Sequence, residues 1–428
     1  MTDQPARPVT RATLAAYGVM AFPLAFAGLP IYLHAPDFYA VTLQQPVAAL
    51  GSVLLVLRLI DALQDPLIGS LSDRFHDRRP AILAIGAVML GLGFWMLFHP
   101  PATLPLLWFA GSVLVCTTGF SVVSINYQAL GGLWRALPAD RTRVTASREA
   151  FGLVGLLIAA ILPTVLASGG SPARAFHWLA LGYLPVLAIC YGVLVRWMHT
   201  APLTPPEAGR DGTGWWTLLR DRWRGLFFAL TGLNTFASAV PAVLVLFFIR
   251  DRLDAEAYTG LFLLIYFLSG VLSMPLWTRL ARGLGKVRAW QISLAVAILT
   301  FSGAAFLQQG DLIAYALVCA LSGLALGADL ALPPAILADH IEADRRQGEA
   351  SRLFSIMAFV SKSALALATG LALPLLGLFG YQPDGVVTPG LALGLSLTYA
   401  GIPCLLKLLA LVGLIVFEKD LALNRTPV

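Results

Sequence analysis

Apolar residues in this chain come in runs of about 20, separated by short polar turns. A run of that length crosses the hydrocarbon of a bilayer as an α-helix, because in lipid every backbone N–H and C=O must be paired within its own segment. The pattern predicts twelve spans, over residues 14–34, 47–72, 81–98, 104–133, 146–168, 175–198, 226–249, 257–279, 289–308, 311–338, 353–378 and 391–417. Several are long enough to tilt or to project from the bilayer. The longest polar stretch, Thr200 to Arg224, falls between the sixth and seventh spans. Its Pro- and Gly-rich start, then Trp215, Trp216, Arg220, Arg222 and Arg224, predicts a linker followed by an interfacial helix. The expected organisation is an N-terminal six-helix bundle over 1–199, a cytoplasmic linker over 200–225 and a C-terminal six-helix bundle over 226–428.

Composition agrees. Of 428 residues, 58% are hydrophobic and 12% charged, and mean hydropathy is +0.78. Soluble domains carry about 25% charged residues. The fold class is therefore an all-α polytopic membrane protein. The net charge of +6 reads as topology and not as a nucleic-acid surface, because Lys and Arg gather on the cytoplasmic side of membrane proteins. With both termini inside, the expected cytoplasmic turns hold nearly all the arginines, and the outside loops hold only Arg174, Arg250 and Arg252. That places the chain, as a multi-pass protein, in the cytoplasmic (inner) membrane. The opening, Met1 to Thr13, is polar and lacks a signal-peptide core. Cys116, Cys190, Cys319 and Cys404 lie in apolar runs and imply packing, not disulfides.

Two carboxylates interrupt the second span. Asp61 and Asp65, four residues apart, share one helix face about one turn from each other. Each charge near the bilayer centre costs roughly 2.5–3.5 kcal/mol, and two like charges repel. A positive group is required. With Gln64 they offer oxygens for a hard metal cation such as sodium, and a proton on one carboxyl is the other occupant. A local ion pair with Arg58 accounts for one carboxylate and leaves the other unexplained. The fourth span is unusually polar over Ser121, Ser124, Asn126, Tyr127 and Gln128. These side chains either complete a cation shell, bind a polar substrate or hold helices together. Lys362 in the eleventh span either answers the aspartates or pairs with Asp329; Lys407 is expected to snorkel, and Asn234, Tyr266 and Trp277 to pack. Asp73, Arg74, Arg141, Asp339 and Arg352, in turns on the cytoplasmic side, are expected to form gating contacts or solvated charge.

The halves echo each other: a basic turn follows the second span at Asp73–Arg79 and the eighth at Arg279–Arg288. This fits parallel repeats. The first of these turns resembles the loop signature of the major facilitator superfamily. The segment Arg58-Leu-Ile-Asp61-Ala-Leu-Gln64-Asp65-Pro66-Leu-Ile-Gly69 resembles helix two of the glycoside–pentoside–hexuronide:cation symporters, the melibiose permease family. Tyr17-Gly18-Val-Met-Ala21-Phe22, and Leu337 through Arg352 to Lys362, look like other parts of that family. The resemblance implies twelve helices in two pseudo-symmetric bundles and a cation bound by Asp61, Asp65, Gln64 and Ser121. It implies no cofactor beyond a coupling Na+ or H+. Where the family has acidic sugar contacts this chain has Ala25 and Ser124, and where it has an aromatic neighbour it has Gln128, so a melibiose-like substrate is not implied.

The expected function is a secondary transporter, not an enzyme: symport of a sugar-like or amphipathic solute with a monovalent cation, by alternating access. Arg58, Ser124, Asn126, Tyr127, Gln128 and Lys362 are the expected substrate contacts. The expected partners are a small molecule, a monovalent cation and the bilayer, with the chain a monomer and no nucleic acid. A proton-coupled exporter or a lysolipid transporter of the same fold is the alternative. An intramembrane prenyltransferase fits less well, because Asp73 lies at the cytoplasmic edge, two turns beyond Asp65, where the basic turn gives it a simpler role, and because the twofold six-span layout and Lys362 do not suit such an enzyme.

Overall fold

A computed structural model describes residues 9–101, 103–167, 172–204, 220–344, 346–378 and 389–422. Among them the regular structure is helical, with one isolated β-bridge between Trp134 and Leu203. The long helices are α1 (Arg11–Thr42), α2 (Val47–Arg74), α3 (Arg79–Leu97), α4 (Pro105–Leu133), α5 (Pro138–Ala167), α6 (Pro172–Thr200), α7 (Arg222–Phe247), α8 (Thr259–Leu284), α9 (Lys286–Phe301), α10 (Leu312–Ala343), α11 (Ala350–Leu378) and α12 (Gly390–Val416). Among the described residues eleven helices are long and apolar enough to cross a membrane. The remaining long helix is α2, whose apolar run is interrupted by Arg58, Asp61 and Asp65. The expected interfacial helix at Trp215 and Trp216 lies outside the described residues.

Several helices outrun the spans read from hydropathy. Helix α5 starts at Pro138, not near 146, and α10 runs to Ala343, not 338. Both extensions are polar, so an apolar window cannot see them. They hold their helical form through side-chain ties instead: Arg143 donates to the Asp140 carboxylate at 2.7 Å, and Pro138 suits a first helical position. Helix α1 continues to Thr42 through two π-helical turns, Pro30–His34 and Phe38–Thr42.

The chain forms two compact units. One comprises Met1–Arg210 and Leu337–Phe359, the other Asp211–Ile336 and Val360–Val428. The end of α10 and the first turns of α11 thus belong with the N-terminal helices. In the first unit α3 and α4 pack at backbone contact. A Cβ on Gly93 would lie 2.5 Å from the Cys116 nitrogen, and one on Gly119 would lie 2.3 Å from the Leu90 nitrogen. Small residues give membrane helices this close van der Waals packing, which replaces the missing hydrophobic drive between them. The close approach fixes the position of α4 within the unit. Tyr17 and Tyr127 tie α1 to α4 reciprocally, each hydroxyl donating to the other's carbonyl, at 3.1 and 2.6 Å.

Candidate functional site

Helix α2 has two faces set by a spacing of four. Leu55, Leu59, Leu63, Leu67 and Leu71 are each more than half exposed. Leu57, Asp61, Asp65 and Gly69 are buried. The aspartates therefore sit in the middle of the protein-facing stripe, Asp61 at 6% and Asp65 at 0% exposure, while leucine covers the opposite face. Pro66 comes directly after Asp65, so the Ala62 carbonyl lacks its usual N–H donor, and a backbone oxygen is released one residue from Asp61.

Asp61 is the hub. Its Oδ1 accepts from the Gln64 amide at 2.9 Å and from the Ser121 hydroxyl of α4 at 3.1 Å. The Gln64 Oε1 accepts from Thr118 at 3.0 Å. The structure thus brings Asp61, Gln64 and Ser121 together and adds Thr118, one turn before Ser121. Spacing of three on the same helix face was the available signal for Thr118. No ion pair between Arg58 and Asp61 forms among the described residues; the guanidinium lies over the Tyr32 ring, 4.7 Å from its centroid. An aromatic face supplies the negative surface that the carboxylate was expected to supply. Among the described residues no group of three or more His, Cys, Asp or Glu side chains could hold a metal. The oxygen set here is two carboxylates with an amide and hydroxyls.

The remaining polar residues of α4 divide. Gln128 donates to Ser124 at 3.1 Å on a half-buried face. Asn126 is 0% exposed and gives its amide to Ser72 at 2.8 Å and to the Val122 carbonyl at 2.9 Å. Tyr127 is 1% exposed with its hydroxyl spent on α1. Asn126 and Tyr127, expected as substrate contacts, spend these donors inside the unit.

At the end of α2, Asp73 accepts from the backbone N–H of Ser351 at 3.0 Å and of Arg352 at 2.8 Å. It caps the start of α11, where an anion meets unpaired N–H groups and the positive end of the helix dipole. Arg79 joins them, 3.5 Å from the Asp73 carboxylate and donating to the Ser351 hydroxyl at 2.9 Å. Arg141 grips the end of α10: the Ala338 carbonyl at 3.0 Å, the Glu342 carboxylate at 2.7 Å and Asp339 at 3.3 Å. Of the expected gating residues, Asp73, Arg141, Asp339 and Arg352 enter these contacts. Arg74 does not; it is exposed, over the Phe75 ring, and Arg79 stands in the network instead. Which arginine of an exposed basic turn folds back leaves no hydropathy signal. Gly69 lets α2 approach: a Cβ there would lie 2.2 Å from the Ser355 Oγ.

In the second unit Lys362 is half-buried on α11. Asp329 pairs not with it but with Lys407, at 2.9 Å, and accepts from Trp290 at 3.1 Å. Lys407 also donates to Asn234 at 2.7 Å. It does not snorkel, and Asn234 is not mere packing: both belong to a buried polar group, with Lys407 and Asp329 side chains 12% and 13% exposed.

The chain is 25% identical to an uncharacterized symporter of Bacillus subtilis, YnaJ, over 95% of its own length and 90% of the relative's. It is 25% identical to a glucuronide carrier protein homolog of Escherichia coli, over 85% and 83%. Among solved structures it resembles FucP, a major facilitator superfamily transporter, with a TM-score of 0.62 at 15% identity, covering 93% of this chain and 98% of that one. The matched relatives are transporters and not enzymes. The profile described as MFS/sugar transport protein matches residues 14–420. The chain belongs to that family, as a multi-pass transporter with the major facilitator fold.

Proposed function

We propose that the protein is a cation-coupled symporter of a hydroxylated, sugar-sized solute, working by alternating access, with the cation held at Asp61 and Asp65. The observation that carries this is the buried stripe of α2, where both carboxylates face protein and Asp61 gathers Gln64 and Ser121. Charge arithmetic supports it. Arg58 contributes +1 and the two aspartates −2, so the apolar run of α2 sums to −1. One monovalent cation brings this helix's own sum to zero. Burying the carboxylates with the cation bound is then less costly than burying them without it, which couples cation binding to the conformational change. The oxygen donors suit sodium, and a proton on one carboxyl achieves the same neutralisation.

The Ser124–Gln128 pair and Arg58 supply the donors and acceptors that a polyhydroxylated or anionic sugar needs. The name of the glucuronide carrier relative supports that class. The contacts of Asp73, Arg79 and Arg141 with residues 338–352 we assign to gating, since they join a segment distant in sequence to the first unit.

The test is uptake into vesicles of a panel of hexoses, pentoses and hexuronates, driven by an imposed Na+ or proton gradient. The wild type accumulates at least one of them with one gradient. Asp65→Asn and Asp61→Asn, folded and inserted, lose gradient-driven accumulation. Undiminished coupled uptake in both variants contradicts the proposal.

A further inference from the structure

The second unit holds a cavity of about 180 Å³ between α7, α8, α9, α10 and α12. Most of its wall is apolar and aromatic, with Phe262, Phe301 and Tyr266 among the rings. Asp329 and Lys407 also line it, and so bring an ion pair to an otherwise greasy space. Nothing in the proposed symport uses these residues.

We propose that this cavity binds a neutral, single-ring molecule carrying one hydroxyl group, a phenol or a cyclic alcohol. Size sets the body of the ligand: an apolar cavity of about 150 Å³ accepts benzene, so the space here admits one ring with a small substituent. Charge sets the head. An ammonium has three N–H donors. Among the described residues Lys407 uses two of them, on Asn234 and Asp329. The Asp329 carboxylate accepts from Trp290 and Lys407 and keeps further lone pairs. A hydroxyl accepts from the ammonium and donates to the carboxylate, which serves both ions and adds no charge. A carboxylate ligand meets Asp329 and an ammonium ligand meets Lys407, and either leaves a net charge against an apolar wall. Tyr266 also lines the cavity, and its hydroxyl offers a second polar contact.

Fluorine NMR of 4-fluorophenol, titrated with the purified full-length protein in detergent, tests the proposal, with 4-fluorotoluene as the ring that lacks a hydroxyl. The expected result is saturable binding of one 4-fluorophenol per chain, about tenfold tighter than 4-fluorotoluene. Ala242→Phe puts a ring into the cavity from an exposed lining position and leaves the ion pair intact; it removes the saturable component. Lys407→Met weakens it about tenfold. If that variant fails to fold, Ala242→Phe and the hydroxyl-free ring still decide. Non-saturable partition of 4-fluorophenol into detergent alone, saturable binding untouched by Ala242→Phe, or equal affinity for the two rings overturns the proposal.

Discussion

Ser121 reaches from α4 to the same Asp61 oxygen that Gln64 holds, so it keeps one hydroxyl oxygen beside the proposed cation. Ser121→Ala deletes that oxygen without changing charge. Hydrogen bonds to charged groups are worth about 1.5–3 kcal/mol. Sodium affinity should therefore fall roughly ten- to a hundredfold, read from the sodium dependence of thermal stability. Thr118→Val acts one step further out, through Gln64, and should cost less. Lys407 and Asp329 make the opposite kind of case. Removing one partner of a buried pair strands the other charge and costs about 3–5 kcal/mol, whereas replacing both by apolar residues is often neutral. Lys407→Met alone should lower the melting temperature sharply, and Asp329→Leu with Lys407→Met should recover much of the loss. A double variant as unstable as the single one would show that the pair contributes through more than its charge.

At the scale of elements, α2 was the most legible helix. Its spacing of four put Asp61 and Asp65 on one buried face, and a spacing of three put Gln64 within reach of Asp61, because side-chain direction in a helix is set by the backbone. Ser121 joined through a family resemblance and Thr118 not at all, because which helix packs on α2 depends on close approach at Gly93 and Gly119, a tertiary property. The role of Asp73 was equally hidden. It caps a helix that begins 277 residues later at Ala350, and no local pattern reports such a partner. Capping of this kind contributes about 1–2 kcal/mol. Asp73→Ala should destabilise the protein by that amount and Asp73→Asn, still a good cap, by less, measured by thermal unfolding. Gly69→Val should crowd Ser355, and a cysteine placed at 355 should then react faster with a water-soluble maleimide. Unchanged labelling would deny Gly69 its role in that contact.

For the whole molecule, hydropathy was enough for the membrane class and the number of long helices, since apolar length is what a bilayer selects. It was blind to the polar ends of α5 and α10 and to the membership of Leu337–Phe359 in the first unit. Those features depend on ion pairs and backbone hydrogen bonds of Arg141 and Asp73, which no window average registers. The central claim is that a monovalent cation neutralises α2, and it is open to direct measurement before the substrate is found. Ligand binding to the native state alone stabilises it by about 2.7 kcal/mol at a hundred times the dissociation constant. Purified protein should therefore melt several degrees higher in saturating NaCl than in choline chloride of equal ionic strength, or in the same way on acidification if the ion is a proton. Asp65→Asn should abolish the difference. A melting temperature indifferent to sodium and to mild acidification in the wild type, or an equal shift in Asp65→Asn, would contradict the account.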